Sequence, residues 1–148
     1  MSIHENKAIV RRLLEEAWNQ HQLAEIDAYV AANRVHHSGT GVGPQGPEAL
    51  RAGITAWRTG FPDLQYHIEQ MIAEDDMVAV CVTFTGTHRG LLRLGPRMLP
   101  PTGKPVREAE IFVFRVVDGK IVESWATWDR LSLLEQLDAL SEPTPAQR

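Results

Sequence analysis

At 148 residues, with 43% apolar and 23% charged side chains, the chain has the size and make-up of one globular domain that folds without staples. A net charge of −4 argues against a nucleic-acid partner, which needs a basic face. The N-terminus is polar, no apolar run nears the roughly 20 residues of a membrane span, and the single Cys81 excludes an internal disulfide, so a cytoplasmic protein without a membrane partner is expected.

Ser2-Ile3-His4-Glu5 has the form of a capping box, and Val10, Leu13, Leu14, Ala17 and Trp18 then recur at helical spacing. Asn19 to Gln22 break the pattern, and a shorter helix is expected over residues 24–32, with Ile26, Tyr29 and Val30 on its buried face. A short strand at 34–38 leads into a glycine-rich loop, Gly39 to Gly46. Pro47 suits the first turn of a third helix, where its missing amide hydrogen has no partner to lose. Leu50, Ile54 and Trp57 mark that helix's buried face, Gly60 its C-terminal cap, and Phe61-Pro62-Asp63 its exit.

The remainder reads as sheet. Residues 65–73 alternate, Asp75-Asp76 turns the chain, and 77–87 alternate with Val78, Val80, Val82 and Phe84 on one face. A long apolar loop, Leu91 to Pro101, reads as a lid or an oligomer contact. Strands at 106–117 and 120–129 meet through Asp118-Gly119, a strong two-residue hairpin signal. A last helix spans residues 130–140, and 141–148 form a flexible tail behind a single domain at 1–140. Three helices, a mostly antiparallel sheet and a closing helix make an α+β architecture.

With Asp118 and Gly119 as the loop pair and no bulge, Glu108 faces Asp129, Glu110 faces Thr127, Phe112 faces Trp125 and Phe114 faces Glu123. Ala109, Ile111, Val113, Val122, Ala126 and Trp128 then share the other face, whose composition suits a subunit contact. Carboxyls so close resist ionising together, so Asp129 beside Glu108 or Glu110 would titrate in split steps, one as base and another as donor. Asp129 alone also fits the plainer role of helix N-cap, and the two glutamates that of a solvated edge. Trp18, Trp57, Trp125 and Phe112 are candidates for an aromatic-accepting pocket, of which one or two are expected to touch ligand. There is no zinc-ligand spacing, phosphate cradle or nucleophile elbow, so no metal and no cofactor are expected.

The run Asp118 to Leu131, together with Gly86-Thr87-His88-Arg89-Gly90 and Phe61-Pro62-Asp63, resembles the SnoaL-like polyketide cyclases (ester cyclases) of the NTF2-like fold, over residues 5–138. The resemblance implies a cone-shaped sheet around a deep apolar pocket, Asp129 as general base, His88 as a partner for a carbonyl oxygen, and His37 as the pocket-facing histidine. It also implies a homodimer or homotetramer formed through the sheet. The expected activity is enolisation of a polyketide-like, apolar or aromatic ligand followed by intramolecular aldol ring closure. The alternatives are an isomerase or epoxide hydrolase on the same fold, or a protein that binds a small molecule without turning it over.

Overall fold

The computed structural model describes residues 2–38, 41–43 and 46–141, so the expected tail and parts of the glycine-rich loop lie outside the described residues. The capping box forms as expected: Ser2 Oγ accepts from the Glu5 amide at 3.0 Å, and Glu5 Oε1 accepts from the Ser2 amide at 3.3 Å. It starts helix α1 (Ile3–Arg12), which runs on into a π-helical segment, Leu13–Asn19. The expected second helix is reduced to one 3₁₀ turn, Ile26–Ala28, because the chain from Val30 joins the sheet instead. The Tyr29 carbonyl already accepts from the Ile121 amide at 2.9 Å.

The elements that follow are β1 (Val30–Ser38), β2 (Gly41–Gly43), α2 (Gly46–Gly60), β3 (Gln65–Glu74), β4 (Met77–Thr87), β5 (Leu92–Leu94), β6 (Arg97–Leu99), β7 (Pro105–Val117), β8 (Lys120–Trp128) and α3 (Arg130–Gln136). Six strands form one sheet in the order β2-β1-β8-β7-β4-β3, antiparallel except where β1 runs parallel to β8. Its inner face carries Val78, Val80, Val82, Phe84 and Phe114, which pack with Val10, Leu14, Leu50 and Ile54 of the helices into one apolar core. Among the described residues no helix is long and apolar enough to cross a membrane.

Asp118 and Gly119 both have positive φ, 50° and 79°, as a two-residue hairpin turn demands. Val117 pairs with Lys120 and Val116 with Ile121, but Arg115 pairs with Glu123. Val122 is therefore an extra residue, and this bulge displaces the register read from sequence by one. Beyond it Glu110 faces Trp128, Phe112 faces Ala126 and Phe114 faces Ser124. A one-residue slip exchanges the faces of a strand, so Ser124, Ala126 and Trp128 turn inward. The outer face keeps Ala109, Ile111 and Val113 but gains Trp125 and Thr127 in place of Ala126 and Trp128. Glu123, also on the outside, accepts from Arg115 Nε at 3.3 Å, and Arg115 holds Asp76 at 2.9 Å. Cys81, opposite Ile111, is half-buried on that same face.

Three leucines of the long loop pack inward. Its strands β5 and β6 form a small hairpin that buries Leu92, Leu94 and Leu99 in the core, while Arg130 Nη2 donates to the Leu94 carbonyl at 3.3 Å. The loop is anchored at Gly90, whose amide and that of Arg89 donate to the Gly60 carbonyl at 3.2 and 3.0 Å. A Cβ on Gly90 would stand 1.9 Å from the Thr59 carbonyl oxygen, so only glycine lets the two backbones approach.

Candidate active site

The helices and the inner face of the sheet enclose a cavity of about 270 Å³. Trp18, Trp57, Phe112 and Trp125, the four candidates for the pocket wall, all line it. Trp128, turned inward by the bulge, joins them, its ring edge-on to Trp57 at 5.5 Å. Trp125 contributes to the wall although its ring stacks on His37 at 5.2 Å. Helix α2 presents Ala49, Leu50, Gly53 and Trp57. Outside its own helical backbone and chain neighbours, nothing lies within 4 Å of where a Cβ on Gly53 would stand, so this glycine leaves open space in the cavity wall.

Besides Ser38, two clusters of polar side chains interrupt the lining. The first is acidic. Glu110 is only 7% exposed and accepts from the Tyr66 hydroxyl at 3.3 Å. Burial, reinforced by the charge of Glu108, pushes its carboxyl up to about 8. Glu108, two residues earlier on the same strand face, is raised to about 7 by burial and by the charge of Asp129. One of its oxygens is sealed without a hydrogen-bond partner among the described residues. Asp129 is exposed and caps α3, accepting from the Ser132 amide at 2.8 Å. The three carboxyls thus form a row from solvent (Asp129) through Glu108 to the cavity (Glu110), and of the three only Glu110 lines it.

Tyr66 is held by unusual local structure. The π-helical segment brings Asn19 alongside β3, where its side chain donates to the Tyr66 carbonyl at 2.8 Å and accepts from the Tyr66 amide at 2.7 Å. Single π turns inside helices often mark functional positions. Here the segment also sets Trp18 edge-on to Tyr66 at 5.2 Å. Arg58 locks the arrangement from behind, donating to the carbonyls of Trp18, Asn19, Pro62 and Leu64.

The second polar group is basic. Arg34 and His36 share the inner face of β1, and both meet Ser124: Arg34 Nε donates to its Oγ at 3.2 Å, and His36 Nδ1 lies 2.7 Å from the same oxygen. Burial first, then the Arg34 charge, lowers the His36 imidazole to about 4, so it is neutral at neutral pH.

The expected histidines lie elsewhere. His37 points outward and bonds Glu123 Oε2 at 2.8 Å, because adjacent strand residues face opposite ways and its neighbour takes the inner position. His88 is fully buried, packed on Phe61 and outside the cavity lining. Its Nδ1 accepts from the Thr102 amide at 3.3 Å, so it ties the strand end to the loop. Among the described residues, no three His, Cys, Asp or Glu side chains come together as a metal-ligand group.

Arg34, Ser124, Trp128 and Gly53 are not singled out from sequence; of the adjacent His36 and His37, at most one of which can enter a pocket, the resemblance favours His37, and Tyr66 stands only as an unplaced oxyanion donor for the isomerase alternative. Strand parity between 34 and 36 is the available signal for Arg34. Ser124 and Trp128 depended on the bulge.

The model of the SnoaL-like polyketide cyclases matches residues 8–137. The chain belongs to this family. Similar proteins include the aklanonic acid methyl ester cyclase DnrD of Streptomyces peucetius, 28% identical over 141 residues, covering 93% of this chain and 91% of that one. Among solved structures, AclR, a candidate hydroxylase from Streptomyces galilaeus, is 31% identical with a TM-score of 0.80, over 95% of this chain and all of that one. A SnoaL-like cyclase candidate from Jannaschia superposes at a TM-score of 0.83 over 94% of this chain and 96% of that one. At 24% identity it speaks for the fold alone. In this SnoaL-like chain the cavity thus has a buried acid pair on one side and an arginine–histidine–serine group on the other.

Proposed function

We propose that this SnoaL-like protein closes a ring in a polyketide-like substrate by general acid–base catalysis, with Glu110 as the group that exchanges a proton with substrate carbon. The observation that carries the reading is a cavity-lining, nearly buried carboxyl raised to about 8 beside a tyrosine hydroxyl. A base is most effective when its pKa lies near the working pH. Ionised Glu110 takes a proton from carbon next to a carbonyl, giving an enolate and the carboxylic acid. The enolate carbon bonds to a second carbonyl carbon of the same molecule. The resulting alkoxide takes the proton back from Glu110, restoring the carboxylate. Tyr66 donates a hydrogen bond that steadies the carboxylate, and the aromatic walls fold the substrate and exclude water.

The resemblance implies Asp129 as the base. Its exposure and its cap to Ser132 favour a place at the solvent end of the carboxyl row instead, passing protons through Glu108. His88, sealed in the core, and His37, paired with Glu123, are left with structural roles in this reading. Exposed Ile72 and Ile111, 64% and 49% accessible on the outer face, support assembly as a homodimer or homotetramer through the sheet.

The Tyr66–Glu110 pair also suits double-bond isomerisation, which shares the first proton abstraction but needs no second carbonyl. Epoxide hydrolysis is less well supported, since Arg34 has no aspartate beside it among the described cavity residues. The test is exchange of carbon-bound protons in deuterated buffer, followed by NMR over a panel of β-keto esters and aromatic polyketide mimics. Wild type and Asp129→Asn, which keeps the cap, should exchange; Glu110→Gln should lose about 10²–10⁴-fold. Loss in Asp129→Asn with retention in Glu110→Gln would return the base to Asp129. No exchange by wild type despite binding would favour a binding protein.

A further inference from the structure

Burying an arginine without an anion is costly, and such a charge is normally paired with a carboxylate. Arg34 is 6% exposed, and its one hydrogen bond to a described residue is the contact from Nε to Ser124 Oγ. Its terminal guanidinium nitrogens find no carboxylate among the described residues, and they are not sealed in the core either: Arg34 lines the cavity. Burial holds it down to about 10, still charged at neutral pH. Ser124 satisfies Nε on one side and His36 Nδ1 on the other, which fixes both side chains. His36 Nε2 has no partner among the described residues and belongs to the same lining. With the Ser124 hydroxyl donating to Nδ1, the neutral imidazole carries its hydrogen on Nε2, and together with the guanidinium fork it makes a set of donors on the cavity wall that a planar oxyanion matches best.

We propose that the Arg34–His36–Ser124 end of the cavity is a subsite for an anionic oxygen, and that the ligand this protein selects carries an ionised acid, a carboxylate or an acidic phenol, at that end. The position relative to Glu110 is set by the hairpin. Ser124 faces Phe114, four residues along β7 from Glu110, or about 13 Å at the rise of a strand. Phe112 and Ala126 lie between them. A substrate anchored by its acid at Arg34 therefore extends along this apolar stretch and delivers a carbon some distance from the anchor to Glu110. The acidic end offers that anion no cation among the described lining residues, so charge favours the orientation with the anion at Arg34. A neutral ester in place of the acid would leave the guanidinium desolvated and poorly matched, as happens whenever a site built for a polar group meets its lesser analogue.

The inference shares its cavity with the proposed reaction, but its test reads binding and not turnover. Binding of 2-naphthoate and of methyl 2-naphthoate would be measured by calorimetry at pH 7.5 with wild type, Arg34→Met and Arg34→Lys. Wild type should prefer the acid by about tenfold or more, the worth of a charged hydrogen bond. Arg34→Met should lose that preference while keeping the ester within about twofold, and Arg34→Lys should keep part of it. In a second readout, the His36 ring resonances should titrate at higher pH with the acid bound and not with the ester. Equal or tighter binding of the ester by wild type overturns the proposal, and this outcome needs no variant to fold. No binding of the acid, or an acid preference unchanged in Arg34→Met, overturns it equally. Acid preference without proton exchange would keep the subsite and sink the reaction; exchange without acid preference would do the reverse.

Discussion

Removing the charge of Glu110 while keeping its shape should make the protein more stable at alkaline pH. Glu110 titrates at about 8 in the folded chain against 4.5 for an ordinary glutamate. A folded-state pKa raised above the unfolded value means that the folded protein binds the proton more tightly. Stability from this group is therefore complete below pH 4.5 and is lost as pH rises to about 8. One proton at about 1.4 kcal/mol per pH unit over that window amounts to about 3–5 kcal/mol, an order of magnitude for a buried pair. Glu110→Gln removes this loss, so the variant should equal or trail wild type near pH 5 and exceed it by several kcal/mol at pH 9. Taking the difference between the two proteins matters, because His36, lowered to about 4, contributes a trend of opposite sign that is common to both. Urea unfolding followed by tryptophan fluorescence from pH 4.5 to 9 measures it, with an expected midpoint gain of about 2 M at pH 9 and an unchanged slope. Parallel stability curves for the two proteins would refute the claim that Glu110 is a buried, raised acid, and the catalytic reading with it.

Gly53→Ala should stabilise the chain by about 0.5–1 kcal/mol through helix propensity alone, since its methyl meets nothing within 4 Å outside its own helical backbone and chain neighbours; Gly53→Leu should instead weaken naphthoate binding by filling the cavity. Gly90→Ala should cost more than about 2 kcal/mol, because the new carbon collides with a backbone carbonyl. The loss should appear as a lower melting temperature and as faster hydrogen exchange at residues 89–104.

Local signals predicted local structure well. The capping box at Ser2 and Glu5, the Asp118-Gly119 turn and the alternation of Val78 to Phe84 each depend on neighbours a few residues away, and each appears where the sequence puts it. The candidate site was harder because its geometry hangs on one residue. Val122 has no glycine or other bulge mark beside it, yet its insertion decides that Ser124, Ala126 and Trp128 face the cavity. His36, paired with Ser124 across a parallel ladder, lies on the cavity side as a result of contacts remote in sequence. The expected helix at 24–32 lost to sheet pairing for the same reason: a tertiary partner outweighed a marginal local preference. Glu110 is visible as a candidate, but its setting comes from residues remote in sequence, with Tyr66 bonded to it and Trp128 opposite it across the hairpin. The apolar loop showed its hydrophobicity in sequence but not its direction, inward to the core.

The parallel pairing of β1 with β8 also dictates when the site comes into being. Ser124 meets Arg34 across 90 residues of chain and His36 across 88. β1 precedes its partner β8 by most of the chain, while β3, β4 and β7 find partners nearer in sequence. Contacts of such separation form late and slowly, since the chain must close a long loop before they reward it. The basic end of the cavity is thus assembled last, and a nascent chain has no anion subsite until β8 docks.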